Sequence, residues 1–166
     1  MKVFMIAAVS ADGFIAEHDE HIADWTSPED KRFFVARTRE AGVVVMGGKT
    51  FRTIGRAMPG RRNVVYTSKP ESINVPDVET TDKPARELID QLEQEGVHEV
   101  AICGGTAIYT LFMKSGLIDE IYLTVEPLTF GTGLTLFNEP IESRLTLLES
   151  SKLNDNTLLL HYSVNR

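Results

Sequence analysis

A short acidic and aromatic segment, IADWTSPEDKRFF (22–34), carries the clearest candidate for acid–base chemistry. Ser27, Pro28 and Asp30 have the types and spacing of a helix N-terminus, where an acid contributes ~0.3–1 kcal/mol. Asp30 also shares a helical face with Phe34, where a partly desolvated carboxylate has a raised pKa. Such a group can accept two N–H bonds from a flat, amidine-like ring edge and help to protonate the ring. The residues alone leave both roles of Asp30, cap and catalyst, open.

Three further segments place hydrogen-bond donors at the ends of predicted strands: MGGKT (46–50), TSK (67–69) and CGGT (103–106). In parallel α/β sheets, ligands bind at the carboxyl ends of the strands, and backbone N–H groups at a helix start attract phosphate groups. The three segments together therefore predict a site for a large anionic cofactor. CGGT does not match the G-x-G-x-x-G pattern, and a tight turn that needs glycine explains its two glycines equally well.

A basic turn, IGRAMPGRRN (54–63), carries Arg56, Arg61 and Arg62. A guanidinium group can bind a carboxylate through two parallel N–H bonds, so one of the three could hold an anionic substrate tail. An ordinary solvent-exposed turn is the alternative explanation.

Strands and helices alternate along the chain, and they must position these groups. The apolar runs and turn signals predict strands at Val3–Val9, Val43–Gly47, Asn63–Thr67, Glu99–Gly105 and Glu120–Pro127. They predict helices at Pro28–Glu40, Lys49–Ile54, Ala85–Glu95 and Thr106–Lys114, a polar loop at Ser10–Thr26, and a hairpin of Thr146–Lys152 with Thr157–Val164. The sequence therefore predicts one α/β domain over residues 1–166, with a mixed, mostly parallel sheet flanked by helices and a C-terminal antiparallel hairpin.

Composition and charge restrict the class of ligand. The 166 residues include 17 basic and 24 acidic side chains, which give a formal net charge of −7. Such a surface should repel nucleic acid and anionic membranes, and no segment approaches the ~18 apolar residues of a membrane span. The single Cys103 excludes an intramolecular disulfide, and neither it nor the pair His18 and His21 has the spacing of metal ligands. We expect a cytoplasmic protein that binds a small molecule, with no metal, nucleic-acid or membrane partner.

Long strings of the sequence resemble the dihydrofolate reductase family almost from end to end. They are MIAAVSADGFIA (5–16), W-x-x-P-x-D-x-x-x-F (25–34), VVMGGKTFRTIGRAMPGRRNVVYTS (44–68), CGGTAIY (103–109) and IYLT (121–124). The resemblance implies the family's fold and an NADPH-dependent oxidoreductase, monomer or homodimer, that reduces dihydrofolate to tetrahydrofolate for one-carbon metabolism. In that reaction a hydride is added to C6 of the pterin and a proton to N5.

The resemblance also implies roles for individual residues. Asp30 matches the active-site carboxylate, Thr124 the threonine that hydrogen-bonds it, and Trp25 the tryptophan that orders a water nearby. Substrate-binding positions are implied at Ile6, Ala8, Lys31, Phe34, Ile54 and Arg61. Arg61 matches the arginine that holds the glutamyl α-carboxylate of folate. NADPH-binding positions are implied at Ala7, Ile15, Gly47, Gly48, Lys49, Thr50, Thr67, Ser68, Lys69, Cys103, Gly104, Gly105, Thr106, Ala107, Ile108 and Tyr109. In the family, the peptide bond that matches Gly104–Gly105 is cis.

Two other functions stay open at this point. The segment GLIDEIYLTVEPLTFGTGLTLF (116–137) resembles the reductase domain of riboflavin biosynthesis, which has the same fold and reduces a ribosylamino-pyrimidine with NADPH. The loop before Trp25 and the residues at Lys31 and Ala107 depart from the folate family's pattern, which suggests a non-catalytic nucleotide-binding module as a third hypothesis. The combination of Asp30 with Trp25, Thr124 and Arg61 favours dihydrofolate.

Overall fold

The first strand of the chain lies inside the sheet because its sequence, KVFMIAAVS, is apolar enough to be buried on both faces. This computed structural model describes residues 1–166. Its strands are β1 (Lys2–Ser10), β2 (Phe14–Ala16), β3 (Val43–Gly47), β4 (Arg62–Tyr66), β5 (Val78–Thr81), β6 (Glu99–Ile102), β7 (Glu120–Glu126), β8 (Leu134–Thr135), β9 (Arg144–Lys152) and β10 (Leu158–Asn165). Its helices are α1 (Pro28–Ala41), α2 (Gly48–Ile54), α3 (Ala85–Gln94) and α4 (Thr106–Lys114), with a 3₁₀ turn at Pro70–Ser72.

Eight strands form one sheet in the order β5-β4-β3-β6-β1-β7-β10-β9. All neighbours from β5 to β7 are parallel, whereas β10 is antiparallel to both β7 and β9. The predicted fold class, with its mostly parallel sheet and C-terminal hairpin, is confirmed. The carboxyl ends of β3, β4 and β6 lie at one edge of this sheet, so the three donor segments predicted from the sequence are brought to the same side.

Three short strands were not predicted. β5 has the sequence VETT and forms the polar edge of the sheet, so it lacks the apolar run that marks an inner strand. β2 has three residues and pairs with the two-residue β8, and it interrupts the predicted loop Ser10–Thr26. Most of the other predicted boundaries differ from the structure by at most two residues, as element ends commonly do. The strand predicted over Glu99–Gly105 ends three residues earlier, at Ile102, and Cys103–Gly105 connect it to α4.

The sheet separates two apolar layers. On one face, α3 and α4 bury residues such as Leu92 and Phe112 against β1, β3 and β6. On the other face, Ala41 of α1 and Phe51 of α2 pack with Phe4 of β1. The helices therefore fix the sheet between them and leave its carboxyl edge for the loops that carry the candidate site. None of the helices has the length and apolar character needed to cross a membrane.

Candidate active site

Asp30 lies in the first turn of α1 with 9% of its surface exposed. Its backbone N–H donates to the hydroxyl of Ser27, which is the N-cap, over 3.1 Å. The cap predicted from the sequence is therefore confirmed, but it is made by the serine side chain. The carboxylate of Asp30 is not used as a cap, so it is available to the cleft.

The pKa of Asp30 is raised above its ordinary value. Burial is the main cause, because it penalises the charged form, and the negative charge of Glu126 acts in the same direction. Hydrogen bonds from the hydroxyls of Thr124 and Thr26 and the charge of Lys31 oppose this rise without cancelling it. A buried carboxyl group with a raised pKa can bind a ring that is cationic or can be protonated, because either partner can carry the proton that they share.

A second buried acid, Glu126, was missed by the sequence analysis. It is 2% exposed, and its Oε1 accepts hydrogen bonds of 2.8 Å from both the backbone N–H and the hydroxyl of Ser27. Its Oε2 accepts one of 3.0 Å from the hydroxyl of Thr157. The sequence did contain a pattern that could have predicted this acid. Glu126 lies two residues after Thr124 in a strand, so the two side chains point to the same face of the sheet.

Strands β1 and β7 are parallel neighbours, paired in register with Ala8 beside Thr124. Ile6 and Ala7 are buried in β1, and the carbonyl oxygen of Ile6 accepts a 2.6 Å hydrogen bond from the Tyr109 hydroxyl. The structure therefore brings the predicted residues of β1, β7 and α4 close to one another.

Trp25 precedes α1 and is half-buried. Its ring packs edge-to-face on Phe130, with the centroids 5.2 Å apart. Its Nε1–H is buried without a hydrogen-bond partner among the protein atoms. A buried indole donor normally finds a partner, so this atom marks a position at which a water or a ligand would be held.

The predicted substrate residues differ in how deeply they lie. Phe34 of α1 is half-buried against the apolar layer, Ile54 at the end of α2 is 37% exposed, and Lys31 is exposed. Ile54 and Phe34 present apolar surface near the carboxyl edge of the sheet. The Lys31 side chain extends into solvent at the rim.

The structure distinguishes the arginines of the basic turn. The guanidinium of Arg62 is held by Glu79 and Glu95, which belong to β5 and the end of α3. Arg61 has no carboxylate partner: its Nη1 donates to the Thr38 hydroxyl over 2.8 Å and its Nε to the carbonyl of Pro59 over 3.0 Å. Of these two arginines, Arg61 is therefore the one free to bind an anion.

The glycines at the ends of β3 and β6 are required by packing. The Gly104–Gly105 bond is cis, as the resemblance implied, and Gly104 has φ +100°. A Cβ on Gly104 would come within 3.0 Å of the Tyr109 ring, and one on Gly47 within 3.1 Å of Ile108. The N–H of Gly47 donates to the carbonyl of Gly104 over 2.7 Å. The tight-turn explanation therefore holds for Gly104. Because glycines have no side chains, the backbone at these positions is accessible to a ligand.

The remaining predicted cofactor residues lie around the same edge. No side chain caps α4, and its first turn contains no acid, so its positive end is open at Thr106 and Ala107. Lys49 is paired with Asp19 of the loop before α1 over 3.0 Å. Thr50 is half-buried beside Gly105, and Ser68, Lys69 and Ala107 are exposed. The hydroxyl of Thr67 accepts from the N–H of Lys69 over 3.0 Å.

These donors fit an anionic dinucleotide such as NADPH, because an open helix end, hydroxyls and cations occur together without a buried acid among them. Ile15 of β2 is half-buried against the apolar layer that α4 covers. Cys103 lies half-buried at the end of β6, and burial raises its pKa to about 12, so its thiol stays neutral. The cysteine therefore offers the site an apolar surface and no nucleophile.

The sequence of this chain is similar to those of known proteins over most of its length. The family model described as dihydrofolate reductase matches residues 2–164. An uncharacterised protein of Bacillus subtilis, YwjB, is 29% identical over 97% of each chain. Dihydrofolate reductase type 3 of Salmonella typhimurium is 34% identical over 75% of this chain and 71% of its own.

Two solved structures have the same fold. A putative riboflavin biosynthesis protein from Shewanella superposes with a TM-score of 0.84 and 25% identity over the whole of both chains. The dihydrofolate reductase of Enterococcus faecalis, solved with NADP(H), superposes with a TM-score of 0.76 and 21% identity over 99% of this chain and 97% of its own. Since the family model spans almost the whole sequence, this chain belongs to the dihydrofolate reductase family.

Proposed function

We propose that this protein is an NADPH-dependent dihydrofolate reductase that supplies tetrahydrofolate in the cytoplasm. The observation that carries the proposal is Asp30, a carboxyl group that is 9% exposed and whose pKa is raised, mainly by burial. Family membership makes a reductase of this type the first candidate, and Asp30 provides the group that a pterin ring requires.

Asp30 would bind the substrate through the amidine-like edge of the pterin. Its two oxygens can accept hydrogen bonds from the 2-amino group and N3, since an ionised carboxylate is an acceptor only. Thr124 orients this carboxylate, and the buried surroundings make the interaction stronger than it would be in water. The negative charge raises the proton affinity of the ring, so N5 is protonated more readily.

Trp25 would orient the water through which the proton is transferred. Its buried Nε1–H has no protein partner, so a water would be held there, in the role that the family resemblance implies for this tryptophan. We assign to Asp30 the role of keeping the ring and this water oriented, and proton transfer to N5 would pass through that water. Ala8 is paired with Thr124 in the sheet, and its small side chain would leave room for a flat ring.

NADPH, when bound, supplies the hydride that C6 receives. The residues proposed to hold its phosphate groups are Lys49, Thr50, Thr67, Ser68 and Lys69, with the open end of α4 at Thr106 and Ala107. Gly104 and Gly105 keep side chains away from the cleft, so two flat rings can lie face to face. Holding the reactants in this way is the main source of rate acceleration that the chain itself can offer.

A second candidate is the NADPH-dependent reduction of a ribosylamino-pyrimidine. It is favoured by the Shewanella riboflavin biosynthesis protein, which is similar over the full length of both chains. That substrate carries a ribose phosphate in place of the glutamyl tail, so Arg61 would meet a phosphate. Trp25 and Asp30 together favour dihydrofolate, since a pterin presents the amidine-like edge that Asp30 can accept.

One assay separates these functions. NADPH oxidation is followed with dihydrofolate and, separately, with the ribosylamino-pyrimidine, for the wild type and for Asp30→Asn. We expect turnover with dihydrofolate and at least a ~10²-fold loss in kcat/KM for Asp30→Asn. Turnover with the pyrimidine alone would favour the second candidate. NADPH binding without turnover of either substrate would indicate a nucleotide-binding module and refute both.

A further inference from the structure

The outer edge of the sheet at β9 is open and apolar. β9 is the last strand in the order of the eight-stranded sheet, so the backbone N–H and C=O groups on its outer side have no neighbouring strand to pair with. Residues 144–150 are all exposed, and among them Leu145, Leu147 and Leu148 are 41%, 52% and 51% exposed. A long, exposed, apolar edge strand is a template for pairing with another chain.

The opposite edge of the sheet is protected against such pairing. The edge strand β5 has only four residues, VETT, and the carboxylate of Glu79 on it is paired with Arg62. Short length and charge both discourage pairing at an edge. The register of β9 with β10 shifts at Leu148, and such a bulge is another common protection, but here the extra residue is itself a leucine. The centre of the β9 edge therefore stays apolar.

Apolar surface continues from β9 onto the neighbouring part of the sheet. Leu145 lies opposite Val164 of β10, on the face of the sheet that α4 covers farther in. It also borders an apolar groove of about 120 Å³ that includes Met113 of α4 and Phe137. An interface at β9 can therefore bury apolar side chains as well as pair backbone groups, and the burial of apolar surface is what favours association.

The charges of β9 indicate that the partner is a second copy of the same strand. Arg144 lies opposite Asn165 of β10, and Glu149 lies opposite His161. Those two residues of β10 are four apart, so Arg144 and Glu149 point to the same face of the sheet. Both are exposed, and His161 forms its ion pair with Glu120 instead of with Glu149. Each copy of β9 therefore offers one cation and one anion on the same face.

Two β9 strands that run antiparallel about a two-fold axis at residues 146–147 match these charges. Arg144 of each copy then meets Glu149 of the other copy, and the leucines of both copies come together at the centre. A pairing centred on Leu148 would set Arg144 against Lys152, and like charges directly opposite each other are destabilising. A two-fold interface uses the same patch on both chains, so one patch that complements itself is sufficient.

We propose that β9 forms the interface of a homodimer, in which the β9 edges of two copies pair antiparallel and extend the sheet from one chain into the other. The reciprocal contacts of Arg144 with Glu149 select this arrangement over other registers. The inference goes beyond the proposed function and does not depend on it, because β9 carries none of the candidate site residues.

The test is the dimer dissociation constant of the full chain, measured by sedimentation equilibrium without substrate. We expect the wild type and the control Leu111→Lys, at an exposed leucine on α4, to be dimers and Leu147→Lys to be a monomer. Arg144→Glu and Glu149→Arg should each weaken the dimer by about 10-fold, because the two-fold axis repeats every like-charge contact. The double variant Arg144→Glu/Glu149→Arg should restore most of the affinity, since the pair is then only reversed. Circular dichroism verifies that each variant is folded.

Three results would overturn the inference. A monomeric wild type excludes the dimer, whether or not β9 pairs with a strand of another protein. A dimer that persists in Leu147→Lys must use another surface. If the double variant is as weak as the two single variants, Arg144 and Glu149 do not face each other and the pairing is wrong. The turnover assay with dihydrofolate tests the proposed function separately, so each proposal can fail without the other.

Discussion

Ser27 and Glu126, which are 99 residues apart in the chain, are joined by two hydrogen bonds of 2.8 Å. The same serine hydroxyl accepts the backbone N–H of Asp30 over 3.1 Å. The cap of α1 is therefore attached to the end of β7, the strand that also carries Thr124. This attachment fixes where the helix begins relative to the strand, and so it sets the position of the Asp30 carboxylate beside Thr124.

The first prediction concerns this attachment. Glu126→Gln replaces a carboxylate that accepts three hydrogen bonds by an amide with one acceptor oxygen, so the free energy of unfolding should fall by about 1–3 kcal/mol. Urea unfolding measures this loss. Glu142→Gln, at an exposed acid, serves as the matched control and should leave stability within about 0.5 kcal/mol of wild type.

The same variant should change the titration of Asp30. The negative charge of Glu126 helps to raise the pKa of Asp30, so removing that charge should lower this pKa. The carboxyl carbon of Asp30 can be followed by NMR against pH, with Asp30→Asn used to identify its signal. A pKa that rises or stays unchanged in Glu126→Gln would contradict the electrostatic account.

The second prediction is that Asp30→Asn stabilises the fold at neutral pH. The pKa of Asp30 is higher in the folded than in the unfolded state, so its ionisation costs stability as pH rises from the unfolded towards the folded pKa. Asparagine is not ionised and avoids this cost. Thermal unfolding should show a higher Tm for Asp30→Asn at pH 7 and a difference that shrinks in acid, where the aspartate is protonated in both states. A rise in Tm that does not depend on pH would show that the stabilisation does not come from the ionisation of Asp30.

The sequence predicted helix ends and buried strands correctly, because these features depend on residues that are close together in the chain. Ser27 and Pro28 predicted the start of α1, and the αL residue Gly42, with φ +79°, ends it. The long apolar run of β1 predicted an inner strand, and the structure buries both of its faces. Each of these patterns is determined by neighbours within about one helical turn or by burial of a whole segment.

What the sequence did not predict depends on distant partners. Glu126 is a buried acceptor because Ser27 and Thr157 come to it from other elements. The residue types alone left Arg61 and Arg62 equivalent, and only the family resemblance selected Arg61. The ion pair that occupies Arg62 comes from Glu79 on the edge strand β5, which has no apolar run to reveal it. No local pattern contains such information, since the partners are selected by the topology of the sheet.

The third prediction concerns Trp25. Its Nε1–H has no protein partner, so Trp25→Phe removes no hydrogen bond within the protein, and the packing on Phe130 can be kept. We expect the free energy of unfolding to change little and kcat with dihydrofolate to fall by roughly 10-fold, since a bound water would lose its donor. Urea unfolding and turnover are measured on the same variant. A large loss of stability with unchanged turnover would show that Trp25 has only a packing role.

The last prediction concerns the loop before α1, where Asp19 is paired with Lys49 over 3.0 Å. Lys49 is also one of the proposed phosphate-binding residues, so the carboxylate of Asp19 would compete with a phosphate of NADPH for the same cation. Asp19→Asn should therefore bind NADPH about 2- to 5-fold more tightly at low salt, the range of an exposed ion pair, and the gain should decrease as salt is added. Glu20→Gln removes the neighbouring exposed acid and is the matched control, because it tests for a general effect of loop charge. Fluorescence titration with NADPH measures both variants. If they tighten binding equally, the loop acts only through its net charge; if neither does, Lys49 does not hold the cofactor.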